Sequence, residues 1–162
     1  MLETTQKVPA SRTLTLPAPL SGRVCEATES SLGELLPLFN IGCVMRVTGN
    51  QLYSPFQGMV TDFDSRELSI KLKATSGLQL WVKVAEVGKS GVGSACLPHV
   101  KRGQQVSMGQ SLFQFNSTTL KQVGAVPYAR IVIPNGQNIS RYETTKARQC
   151  LALEDTLFTL YI

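Results

Sequence analysis

Two stretches in the middle of the chain constrain its fold more than any other feature. Glu67-Leu68-Ser69-Ile70-Lys71-Leu72-Lys73 alternates strictly between apolar and polar residues, and Leu78 to Val84 alternates again after Ser76-Gly77. A period of two belongs to a strand that buries one face, whereas an amphipathic helix repeats every 3.6 residues. Leu68, Ile70 and Leu72 therefore share one face, and Leu78, Leu80, Val82 and Val84 share the inward face of the next strand. Gln79, Trp81 and Lys83 take the opposite side. Two such runs about a short glycine turn predict an antiparallel hairpin.

The same punctuation extends along the chain. Gly, Pro and Asn interrupt short apolar runs at Cys43 to Thr48, Gln51 to Tyr53, Met59 to Phe63, Gln105-Val106, Ser111 to Phe115, Tyr128 to Ile133 and Leu157 to Ile162. Pro134-Asn135-Gly136 adds a strong turn signal. This spacing predicts an all-β fold, an antiparallel β-sandwich or barrel with few short helical turns. The helical turns fall at Ser31 to Phe39, capped by Ser30 or Ser31, and near Thr118 to Val123. Residues 1–15, rich in Thr and Ser, read as a flexible N-terminal tail before one domain at 16–162. A chain of 162 residues, 43% hydrophobic and 17% charged, buries enough surface to fold without a metal or disulfide.

Several chemistries fail on residue counts and spacing. The chain holds one histidine, His99, which excludes an HExxH metalloprotease, a His-Cys zinc finger array and any two-histidine mechanism. No GxSxG motif accompanies it, so it reads as a surface or half-buried structural residue. Cys25, Cys43, Cys96 and Cys150 form no CxxC pair, so they read as reduced thiols. Gly88-Lys89-Ser90 lacks the glycine that a phosphate-binding P-loop places five residues earlier, where Lys83 stands. Asp62, Asp64 and Glu67, like Glu154-Asp155, read as solvated carboxylates at turns. The net charge of +5 has no dense Lys/Arg run beyond Lys101-Arg102, which speaks against nucleic acid. No apolar run reaches the length of a membrane span, and the N-terminal stretch has no signal-peptide core. A cytoplasmic protein with no metal and no cofactor is expected.

The order of motifs from Ile41 to Phe115 resembles the glucose-type enzyme IIA domain of the bacterial sugar phosphotransferase system. The resemblance rests on Ile41-Gly42-Cys43-Val44, on Leu52-Tyr53-Ser54-Pro55-Phe56-Gln57-Gly58-Met59-Val60 and on Leu68-Ser69-Ile70-Lys71-Leu72. It continues through Ser76-Gly77-Leu78-Gln79-Leu80-Trp81-Val82-Lys83-Val84, Gly103-Gln104-Gln105-Val106, Gly109 and Leu112-Phe113-Gln114-Phe115. Upstream, Pro17-Ala18-Pro19-Leu20-Ser21-Gly22 resembles the family's entry segment, so the resemblance spans residues 15 to 162. It implies an antiparallel β-sandwich whose members accept a phosphoryl group on one histidine, steadied by a second, and pass it to a sugar permease. By the same resemblance the acceptor position is Lys83 and the second position is Arg66, so both histidines are replaced. The threonine before the second histidine matches Asp64, and the family's Gly-Ile-Asp after the acceptor reads Ala85-Glu86-Val87.

Phosphoryl transfer to histidine needs a neutral ring nitrogen near pH 7. Arginine offers no lone pair, and an ordinary lysine is protonated. No catalytic residue is therefore assigned. The resemblance points instead to a regulatory or protein-binding module that meets a permease, an enzyme or a regulator. Arg66, Lys83, Trp81 and Asp64 form the candidate binding face, and the Arg66–Lys83 pair suits an anion or acidic patch. The alternatives are a phosphocarrier with a non-histidine acceptor, a catalytically dead relative of a β-sandwich metallopeptidase, and a lipoyl- or biotinyl-type carrier.

Overall fold

The computed structural model describes residues 12–85 and 93–162. The predicted hairpin is present. Strands β6 (Ser69–Ala74) and β7 (Gln79–Val84) pair antiparallel, with Ser69 opposite Lys83 and Lys73 opposite Gln79. The first strand begins two residues later than its alternation suggests. Asp64 draws that stretch into a turn by accepting hydrogen bonds from the Arg66 N–H at 3.0 Å and, on its carbonyl, from the Glu67 N–H at 3.2 Å. Leu68 still points inward and is fully buried, in a left-handed conformation with φ 50°.

Around this hairpin lie β1 (Thr13–Pro17), β2 (Gly22–Cys25), β3 (Ile41–Val47), β4 (Gln51–Tyr53) and β5 (Gly58–Asp64). Further on come β8 (Cys96–Pro98), β9 (Gln105–Val106), β10 (Ser111–Phe115), β11 (Tyr128–Ile133), β12 (Arg141–Thr144) and β13 (Thr156–Tyr161). Seven strands form one sheet in the order β9-β5-β6-β7-β11-β3-β2, and two three-stranded sheets run β4-β10-β8 and β12-β13-β1. Every strand pair is antiparallel.

The inner face of the large sheet packs on the two small ones. Ile70, Leu72, Leu80 and Val82 share a single core with Leu112, Phe113 and Phe115 of β10 and with Phe158 and Leu160 of β13. Phe113 stacks on Phe63 at 5.6 Å between ring centroids and meets Phe115 edge-on at 6.2 Å. The architecture is the antiparallel β-sandwich that the alternation predicts.

One local reading changes, and the short elements gain detail. Thr13–Pro17 is a strand, held between Arg12 and Ala18 by pairing with β13, so a tail reaching residue 15 is too long; residues 1–11 lie outside the described part. The segment Ser31–Leu38 is a 3-10 helix, with Ser30 accepting from the Leu32 N–H at 3.1 Å. Pro37 within it has no N–H to donate, and Gly33 lies so close to the Ala27 carbonyl that no side chain fits. Strands β2, β8 and β12 are short and were not marked by alternation. The expected turn near Thr118 is a short helix, α1 (Ser117–Gln122), capped by Asn116.

Phe113 is fully buried in the core against Phe63 and Phe115. Phe113→Ala is expected to lower unfolding free energy by about 3–5 kcal/mol, read from urea denaturation. Leu38→Ser, at a position 76% exposed, is expected to change it by less than about 0.5 kcal/mol.

Candidate functional site

Strand parity places the site. With Leu80, Val82 and Val84 buried inward, Trp81 and Lys83 must face outward on β7. Ser69 and Lys71 lie beside them on β6, and Arg130 and Val132 on β11. Lys83 sits opposite Ser69 on one side and Arg130 on the other.

The Lys83 side chain is only 12% exposed. Its Nζ donates to the Glu67 carbonyl at 2.6 Å and lies 3.5 Å from Glu67 Oε2. Burial pushes its pKa below the usual lysine value and Arg130 adds to that, while Glu67 and Asp64 oppose the shift. Arg66 has a different setting. Its side chain is 87% exposed, and Nε lies 3.5 Å from Asp64 Oδ1. Such an exposed pair stabilises by about 0–1 kcal/mol. Each residue of the sequence-predicted cation pair is thus matched to its own carboxylate, and the turn 64–67 carries both carboxylates. Gly93 passes directly over this turn; a Cβ there would stand 3.0 Å from the Arg66 Cα.

Trp81 is half-buried on this outward face. Lys71 Nζ lies 4.1 Å from its ring centroid, and Phe39 packs against it edge-on at 5.8 Å. Leu35 and Leu38, on the neighbouring 3-10 helix, are exposed. The outward face therefore combines aromatic and aliphatic surface with cations. Sequence reasoning missed Arg130. Its only signal was polarity within the apolar run Tyr128 to Ile133, which becomes meaningful once β11 is known to pair with β7.

The other candidates stand apart. His99 is exposed at the end of β8, with Nδ1 2.7 Å from the Ser111 hydroxyl, which in turn donates to Gln51 Oε1 at 3.2 Å. All four cysteines are free, and burial raises their pKa values, that of Cys96 to about 11. No group of three His, Cys, Asp or Glu residues gathers into a metal-binding set among the described residues. The Gly88-Lys89-Ser90 stretch and Glu86-Val87 lie outside the described part. Among the described residues no helix is long and apolar enough to cross a membrane.

Comparison with known proteins agrees with this fold. The family model for the phosphoenolpyruvate-dependent sugar phosphotransferase system, EIIA 1, matches residues 36–139. The chain belongs to that family. Glucose permease IIA from Mycoplasma capricolum has the same fold, with a TM-score of 0.69 and 15% identity over 91% of this chain and 96% of that one. No curated protein matches the chain.

Lys83 ties this site to pH. Because its folded pKa is lowered, the unfolded chain holds the proton more firmly as pH climbs from the folded value toward 10.5. Stability therefore rises with pH across that window, and the cost of burying the ammonium is fully present below it. Lys83→Met is expected to be as stable as the wild type or more so at pH 7. That advantage is expected to shrink as pH passes through the window, measured as the difference in urea midpoints at pH 7 and pH 10.5.

Proposed function

We propose that this protein is an EIIA-like member of the sugar phosphotransferase system that binds a protein partner and does not carry a phosphoryl group on histidine. The observation that carries this reading is the state of Lys83. The resemblance makes it the acceptor position, and there the ammonium is sequestered and hydrogen-bonded to Glu67. A protonated amine has no lone pair for attack on phosphorus. Arg66, at the second position, cannot serve as the neutral imidazole that would steady the transfer. His99 lies on a different sheet.

What the face retains is suited to contact. Trp81 and Phe39 present aromatic surface, Leu38 stands 76% exposed, and Lys71 and Lys83 supply positive charge. Aromatic anchors ringed by charge are the usual energetic centre of a protein interface. The proposed setting is the bacterial cytoplasm, with a permease, an enzyme or a regulator as partner and regulation as the outcome.

Incubation with phosphoenolpyruvate and the general phosphotransferase components is expected to leave the intact mass unchanged, while a histidine-bearing EIIA domain gains one phosphoryl group. The double variant Arg66→His/Lys83→His is expected to gain acid-labile phosphate. A phosphate gained by the wild type would overturn the reading and direct mapping to a non-histidine acceptor.

A further inference from the structure

We propose that Arg130 and Lys83 form a binding site for a phosphate group, free or as a monoester, on the outer face of the seven-stranded sheet. The proposal rests on the reading of this face as a binding surface, but not on any particular protein partner.

Arg130 is the less expected of the two. It is half-buried, and desolvation lowers its pKa. Among the described residues no carboxylate comes within 4.0 Å of it, whereas Arg23, Arg66 and Arg141 each have one. Removing a guanidinium from water without a counter-ion costs free energy, and an anionic ligand offsets that cost. Lys83 lies directly opposite across the β7–β11 pair. Directly opposed residues of an antiparallel pair hold their Cβ atoms about 4.5–5.5 Å apart on one face. The two cationic side chains therefore start from adjacent points on one face, close enough for Arg130 to act on the Lys83 charge, and the two together reach one compact ligand of high charge.

Donor counting agrees. An ammonium has three N–H donors, and Glu67 engages Lys83 through its carbonyl at 2.6 Å and its carboxylate at 3.5 Å. One donor is left, and the guanidinium adds a planar fork matched to two oxygens of a phosphate. Ser69, opposite Lys83 on its other side, adds a hydroxyl to the same face. Among the described residues the charges acting on Lys83 are Glu67, Arg130 and Asp64. Glu67, half exposed and held by the longer contact, is the group an entering anion displaces. The carbonyl contact keeps Lys83 in place when that happens.

The test is isothermal titration of the whole chain with inorganic phosphate, glycerol phosphate and sulfate at matched ionic strength. Binding of phosphate that Arg130→Gln weakens about 10- to 100-fold is expected, the range of a charge-assisted hydrogen bond. Glu67→Gln is expected to tighten it about 2- to 5-fold by removing the competitor. Arg130→Lys, which keeps the charge and the fold, is expected to lie between Arg130→Gln and the wild type. Equal affinity for both phosphates supports a site that reads the phosphate alone, and tighter glycerol phosphate supports a monoester ligand. No binding of either phosphate, binding that Arg130→Gln leaves unchanged, or equal response to sulfate would overturn the proposal. The phosphoenolpyruvate assay separates the two readings. A chain that binds phosphate at Arg130 yet becomes covalently phosphorylated keeps this site and loses the proposed function. A chain that does neither loses only this site.

Discussion

The register of β6 against β7 is the constraint on which the rest depends. Ser69 opposite Lys83 and Leu72 opposite Leu80 fix which side chains enter the sandwich and which stay outside. A slip of β6 by one residue against β7 would turn Ile70 and Leu72 out to solvent and drive Ser69 and Lys71 into the core. The apolar face thereby places the polar one. Lys83 stands on the surface of a rigid sheet because its two neighbours, Val82 and Val84, have nowhere to go but inward.

Much of this was legible before any coordinates. Alternation gave the central hairpin and most of the sandwich, since burial on one face leaves a period of two in the residues themselves. The weakest signals belonged to strands of two to four residues, where a period barely repeats. Thr13-Leu14-Thr15-Leu16 does alternate, but its hydroxyls read as a loose tail; only the partner strand β13, at the far end of the chain, gives those residues a reason to be extended. The site was half legible. Arg66, Lys83, Trp81 and Asp64 were marked by resemblance, and their separate pairing to Asp64 and Glu67 came from turn geometry that the spacing of residues does not encode. Arg130 could not be placed at all without knowing which strand lies beside β7.

The backbone around the site keeps an uncommon shape. Leu68 (φ 50°) follows the Arg66–Glu67 turn and Ala85 (φ 71°) follows Lys83, and both are fully buried. Left-handed conformations at such residues cost about 1–3 kcal/mol each. Surrounding contacts hold them there: the Val84 N–H donates to the Leu68 carbonyl at 2.9 Å, and the Ala85 N–H donates to the Tyr128 carbonyl at 2.6 Å. At Ala85 the resemblance has glycine, the residue that takes this conformation without strain.

Strand β11 has a consequence for how the molecule comes to be. It is the piece that joins β7 to β3, and without it the strand order divides into β9-β5-β6-β7 and β3-β2. Its residues follow both of its neighbours in chain order, so a chain ending before residue 128 lacks the strand that lies between β7 and β3. Asn135, just past this strand, then closes the far hairpin by accepting from the Gln79 N–H and donating to the Gly77 carbonyl. Completing the sheet and setting Arg130 beside Lys83 therefore fall to the same strand, and a chain cut short of it holds Lys83 without its neighbour.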